Sequence, residues 1–226
     1  MRRLLNLLTG ILATLAQPIL HAGNDWDGSE ADEVRQFISQ QKAVHSVSAD
    51  FVQTRSLKTL RSPIEVKGHV WLSTSGRYRW QLGDPPRTII IGSPEGTTLI
   101  EPLKKHAEIL RSSDNFGSPA AFSPLGFSGS RGMEELKKNL RFLSLNEENG
   151  RCCLSVLPRD PSAAARLSAI NLDFNKQDGR WIGFEIVTRE GSSIRTVFSN
   201  TELNAPLQRD LFSYDLTGFT VAHDKK

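Results

Sequence analysis

Side chains able to do chemistry are few and scattered in this chain. His45, His69, His106 and His223 stand far apart, each read as a surface residue. Gly126-Phe-Ser-Gly-Ser130 approaches a nucleophile elbow but lacks its second glycine. No HExxH pair, phosphate-binding glycine loop or metal-spaced cluster occurs. Glu147-Glu148 falls in an evident turn. Cys152 and Cys153 are adjacent in a strand pattern, so their side chains point to opposite faces. Neighbouring Cα atoms lie about 3.8 Å apart, closer than the usual disulfide range of about 4.4–6.8 Å, so a bridge would be strained and two packed thiols are favoured. The expectation is no catalytic residue, no metal, no cofactor and no enzyme. What remains is apolar surface, and the chemistry of apolar surface is binding.

Pro63 to Leu110 presents that surface as short alternating segments. Ile64, Val66, Val70 and Leu72 form one face of the first; Tyr78, Trp80 and Leu82 form a face of the second. Glu65, Lys67, His69, Arg77, Arg79 and Gln81 lie opposite. Period two between turn residues indicates half-buried antiparallel strands. Trp71 is out of phase and belongs outside. Val47, Ala49 and Phe51 alternate before this region. Further strands are read at Arg151–Leu157, Ser168–Phe174, Trp181–Arg189 and Ser193–Phe198, with turns at Gln177-Asp-Gly179 and Glu190-Gly191. Phe212–Tyr214 and Phe219–Val221 close the chain.

Two segments read as helices. From Ala31, Val34, Phe37, Ile38 and Gln41 share a stripe that Val44 extends. From Gly132 to Leu143, Met133, Leu136, Leu140 and Leu143 recur at helical spacing. Gly23–Glu30 reads as a mobile polar leader. Residues 112–132 are Ser-, Gly- and Pro-rich yet hold Phe116, Phe122, Leu125 and Phe127. The total is about ten or eleven strands, whose apolar faces must curl together to be hidden. Two amphipathic helices are too few for a bundle and are expected to lie across the concave face.

Met1-Arg-Arg followed by an apolar stretch ending in Leu20-His21-Ala22 reads as a secretory signal peptide. Asn6, Gln17 and Pro18 interrupt it, which argues against a membrane span. Residues 23–226 are then a single exported, soluble domain of about 200 residues. Cleavage removes Arg2 and Arg3 from a formal net charge of +3, so the basic balance is no argument for nucleic acid.

Taken together, these segments resemble the LolA family of periplasmic lipoprotein carriers. Val47-Ser-Ala-Asp-Phe-Val-Gln53, Lys67-Gly-His-Val-Trp-Leu72 and Gly76-Arg-Tyr-Arg-Trp80 are similar to its first strands. Pro85–Pro102 fits the following hairpin, Phe122-Ser-Pro-Leu125 an internal helical insertion, and Phe212–Val221 the terminal pattern. The resemblance implies a mainly β fold, an unclosed antiparallel barrel with a helical lid over a hydrophobic cavity. It implies a monomeric carrier of acylated lipoproteins between an inner-membrane ABC transporter and an outer-membrane acceptor. The alternatives are a paralogue carrying another lipid and a lipid- or lipoprotein-sensing module. Phe37, Phe51, Val70, Leu72, Tyr78, Trp80, Leu82, Ile89, Ile91, Phe122, Leu125, Leu136, Leu140 and Phe184 are the expected cavity residues. Two places depart from the family pattern. Thr74-Ser75 replaces an Arg-Pro pair whose arginine holds the lid, with Arg77 and Arg79 as the nearby cations. Thr98 and Ile100 replace a Trp and a Tyr before Pro102.

Overall fold

The computed structural model describes Trp26 and residues 28–111 and 132–223. Residues 1–22, Phe122 and Leu125 lie outside that range. Helix α1 (Ser29–Gln40) precedes β1 (Ser46–Ser56), β2 (Ile64–Ser73), β3 (Tyr78–Leu82), β4 (Thr88–Ser93), β5 (Gly96–Glu101) and β6 (His106–Arg111). Helix α2 (Gly132–Asn139) runs into β7 (Leu140–Glu148) and β8 (Arg151–Pro158). Helix α3 (Pro161–Arg166), β9 (Leu167–Asn175), β10 (Trp181–Thr188), β11 (Ser193–Leu203) and β12 (Thr220–His223) follow.

All twelve strands join one sheet, ordered β12-β6-β5-β4-β3-β2-β1-β11-β10-β9-β8-β7. Two antiparallel meanders meet where β1 pairs with β11, Phe51 opposite Phe198. The sheet is unclosed, with β12 and β7 at its edges. Only β12 runs parallel to its neighbour, β6.

Pairing puts the alternating apolar sets on one side. Ala49 faces Val70, Val70 faces Trp80, and Leu72 faces Tyr78 across the first meander. Cys152 faces Phe174, Leu154 faces Leu172, and Leu172 faces Phe184 across the second. With Val34, Phe37 and Ile38 of α1 and Leu136 of α2, these residues form one buried cluster. Both expected helices therefore lie on the concave face.

Four expectations are corrected. The second helix ends at Asn139, and Leu140 begins β7, pairing with Pro158. Twelve strands stand where about ten or eleven were expected. Trp26, placed in a mobile polar leader, is 1% exposed, donates its indole N–H to the Leu140 carbonyl at 3.1 Å, and meets Phe142 edge-on. Ile89 and Ile91 lie on the outer face. They join a second cluster with Ile100 and Ala107, covered by Tyr214, Leu216, Phe219 and Val221. It is Ile90, opposite Trp80, that packs against the main core.

Candidate functional site: the apolar concave face

An aromatic group stands at the middle of the concave wall. Phe51 and Trp80 are 4.4 Å apart between ring centres, and Trp80 reaches Phe184 and Phe198 at 6.2 and 6.1 Å. Two glycines make room for the rings. A Cβ on Gly68 would lie 2.2 Å from Phe51 Cζ, and one on Gly92 would lie 2.0 Å from the Tyr78 ring. The glycines on β2 and β4 thus let flat aromatic faces lie directly on the backbone.

Polar atoms on this wall are few. Gln53 donates to the Thr196 hydroxyl at 3.4 Å, and the Tyr78 hydroxyl bonds that of Thr97 at 2.8 Å. Trp80 Nε1 and Trp181 Nε1 are buried with no hydrogen-bond acceptor among the described residues. A buried donor without a partner costs about 1–3 kcal/mol. The wall therefore carries indole N–H groups able to donate to a carbonyl oxygen.

Phe37, Phe51, Val70, Leu72, Tyr78, Trp80, Leu82, Leu136, Leu140 and Phe184 come together in this one cluster. Ile89 and Ile91 do not, as described above. Sequence reasoning left out Phe198, although it alternates with Ile194 and Thr196 on β11 and packs on Phe184 at 6.1 Å. It also left out Trp26, whose signal, a lone Trp in a polar segment, was present.

The helices are fastened chiefly by apolar contacts. Phe37 stacks on Phe174 at 4.1 Å and meets Trp181 edge-on at 5.3 Å. Gln41 Nε2 donates to the Gly179 carbonyl at 2.7 Å, and Lys176 ion-pairs with Glu33 at 3.2 Å. The cations beside the Thr74-Ser75 departure do not replace the lid arginine in one instance. Arg79 lies on the outer face, donating to the Leu211 and Ser213 carbonyls at 3.0 and 3.3 Å. The Ser73–Gly76 turn is closed instead by Ser73 and Ser75 hydroxyls 3.0 Å apart.

The outer face carries polar constellations. Ser48 Oγ lies 2.8 Å from His69 Nε2, and His69 Nδ1 lies 2.7 Å from Asp50 Oδ1. Asn200 donates to the other Asp50 oxygen at 2.8 Å, and this bond, ahead of that from His69, holds the Asp50 carboxyl below the ordinary range. Hydroxyl, imidazole and carboxylate are in the order of an activated nucleophile. Ser48, however, sits within the ladders to Trp71 and Glu202, which commits its backbone to sheet pairing rather than to an oxyanion. The network ties β1, β2 and β11 together. Farther along, Asp173 is buried between Arg151 and Arg195. Burial, then Asp173, pushes the neighbouring Cys153 thiol up to about 11. On the helix-covered side, by contrast, Glu33 of α1, Glu147 and Cys152 converge within 4.8 Å, but the Lys176 ammonium ion-pairs with both carboxylates.

Among the described residues no helix is long and apolar enough to cross a membrane. Residues 42–215 match the family model described as outer membrane lipoprotein carrier protein LolA. An outer-membrane lipoprotein carrier protein of Dechloromonas aromatica is 22% identical over 92% of this chain and 91% of its own length. One of Methylococcus capsulatus is 24% identical over 81% and 84%. Among solved structures, an uncharacterized conserved protein of Thermus thermophilus superposes with a TM-score of 0.50 at 12% identity, covering 86% of this chain and 99% of that one. A DUF1329 family protein of Desulfovibrio piger also gives 0.50, at 11% identity over 84% and 98%. Both show likeness of fold. With its family match spanning the sheet from before β1 to beyond β11, the chain belongs to the LolA family of outer-membrane lipoprotein carrier proteins.

Proposed function

We propose that the protein is a periplasmic carrier that takes the acyl chains of lipoproteins against its concave face and ferries them between membranes. On this reading it acts after export and removal of residues 1–22, as the single domain that follows. The observation that carries the proposal is one continuous apolar wall, from Val47 to Phe184, beneath helices held mainly by apolar side chains. Each buried CH₂ is worth ~0.8 kcal/mol, so a long acyl chain costs on the order of 10 kcal/mol to expose to water. α1 and α2 cover the same surface with Phe37 and Leu136. Helices and acyl chains therefore compete for it, which supports both shielding and release. The unpaired Trp80 N–H suits the ester or amide carbonyl at the head of such a chain. Delivery from an inner-membrane ABC transporter to an outer-membrane acceptor is part of the same proposal, by family likeness. The reaction is binding, with no chemical step.

A second reading, carriage of another lipid, draws on the Thr74-Ser75 departure and on Arg79, which is engaged on the outer face. Mass spectrometry of the ligand that copurifies from the periplasm separates the two. Acylated protein or peptide is the expected result. Free lipid alone moves the assignment to the second reading, and failure of a synthetic acylated peptide to bind overturns the first.

A further inference from the structure

The two ends of the sheet differ in chemistry. Strand direction brings the β1–β2 loop (residues 57–63), the Pro102–Lys104 turn, α3 and the β10–β11 turn to one end. Six large apolar side chains are exposed among the described residues, and Leu57, Leu60, Ile64 and Leu103 are at this end. Leu103 is 81% exposed. The same loops are basic. Lys58 and Arg61 interleave with the leucines in Leu57-Lys-Thr-Leu-Arg61, and Lys104-Lys105 follow Leu103. Arg166 and Arg189 stand on the neighbouring turns.

Acidic groups at this end are fewer than the cations. Lys104 bonds Glu101 at 2.6 Å, Asp160 caps α3 by accepting from the Ala163 N–H at 2.8 Å, and Asp84 and Glu190 share their turns with Arg87 and Arg189. Lys58, Arg61 and Lys105 make no side-chain hydrogen bond or ion pair among the described residues. At the opposite end, the turns at 74–77, 94–95 and 176–180 carry Arg77, Lys176 and Arg180 against Glu95 and Asp178. The one large exposed apolar residue there is Leu203, the last of β11.

We propose that the basic, leucine-tipped end docks on an anionic lipid surface. Leu57, Leu60 and Leu103 enter the boundary between headgroups and acyl chains, and Lys58, Arg61 and Lys105 meet lipid phosphates. The apolar groups are separate tips on two loops, each flanked by long cations, rather than one continuous patch. A fluid surface can accommodate such tips independently, whereas a rigid protein partner needs a complementary pocket for each. The docking is weak and reversible, as a shuttling protein requires. Each cation near an anionic membrane contributes about fivefold in partitioning, so three supply roughly a hundredfold, lost as salt rises.

The test uses the full mature chain and sedimented vesicles of phosphatidylcholine with or without phosphatidylglycerol. Binding is expected with the anionic lipid at low salt, and little with phosphatidylcholine alone. Lys58→Glu with Arg61→Glu should abolish it, and Leu57→Ser with Leu103→Ser should weaken it about tenfold. Both pairs lie in exposed loops, so thermal unfolding and acylated-peptide binding should stay as in the unaltered protein. Arg77→Glu with Arg180→Glu, at the other end, should bind vesicles normally. Equal binding to both vesicle types overturns the proposal, as does an equal loss in the Arg77/Arg180 control. Crosslinking of a membrane protein through position 103, with no vesicle binding, overturns it in favour of a protein dock. Loss of acylated-peptide binding in unaltered protein would strike the carrier reading and leave this one standing.

Discussion

Trp80→Phe separates a cavity wall with an unused donor from an ordinary core. Trp80 is 1% exposed, and its indole N–H is unpaired among the described residues. Losing the second ring removes roughly 40 Å² of apolar contact, about 1 kcal/mol. The space left behind adds about another 1 kcal/mol at the usual cavity cost. Against this, the substitution removes a buried, unsatisfied donor worth about 1–3 kcal/mol. Urea unfolding should therefore shift stability by no more than about 1 kcal/mol, far less than most changes to a buried tryptophan. Binding of an acylated peptide should fall about two- to tenfold as one carbonyl hydrogen bond of about 0.5–1.5 kcal/mol disappears. A stability loss above about 3 kcal/mol refutes the idea of an unpaired donor. Unchanged stability with unchanged binding refutes its use by the ligand.

Gly68→Ala should cost about 3 kcal/mol, because the new methyl meets both the Phe51 ring and the Gln81 carbonyl at 2.2 Å; a near-neutral result in urea unfolding counts against that close approach. Asp50, held below the ordinary carboxylate pKa of about 3.9, contributes stability above that value and loses it as pH falls through its lower folded value. The stability gap between the unaltered protein and Asp50→Asn should therefore narrow below about pH 4, and a gap constant with pH rejects the network. Cys153, pushed up to about 11, and buried Cys152 should react with thiol reagents at neutral pH far more slowly in the folded protein than in urea. The Cys152→Ser, Cys153→Ser double variant should still fold, losing roughly 1–3 kcal/mol at most, as measured by thermal unfolding.

Alternation made much of the fold legible, because β1, β2, β3, β9 and β10 each bury one face and wet the other. It failed where that asymmetry fails. Ile89-Ile90-Ile91 is apolar throughout because the tail covers the outer face there, and an unbroken apolar run does not say which residue faces which side. The clue lay far away, in Phe219 and Val221, which need a surface to cover. Leu136 and Leu140 keep helical spacing across Asn139, yet pairing with β8 converts the chain to strand at Leu140. A local period cannot register a partner strand that comes later in sequence. The wall was readable through Phe51, Tyr78 and Trp80. Trp26 escaped because only tertiary packing rewards burying a lone ring from a polar stretch.

The junction between the meanders also sets a timetable. β1 is the first described strand to leave a ribosome or a translocation pore and β11 is nearly the last, yet Gln53 and Thr196, 143 positions apart, are neighbours in the finished sheet. Such long-range closure is entropically costly and slow. The first meander can assemble as soon as β6 appears, but one whole edge of β1 stays bare until residue 203 has emerged. During that interval Phe51 and Trp80 lack Phe198 and Phe184, and the half-built molecule is a sticky open sheet. The wall is accordingly complete only once β11 has paired. A nascent chain interrupted before β11 holds no half-built wall that could serve, only an unprotected strand edge in what should be the middle of the sheet.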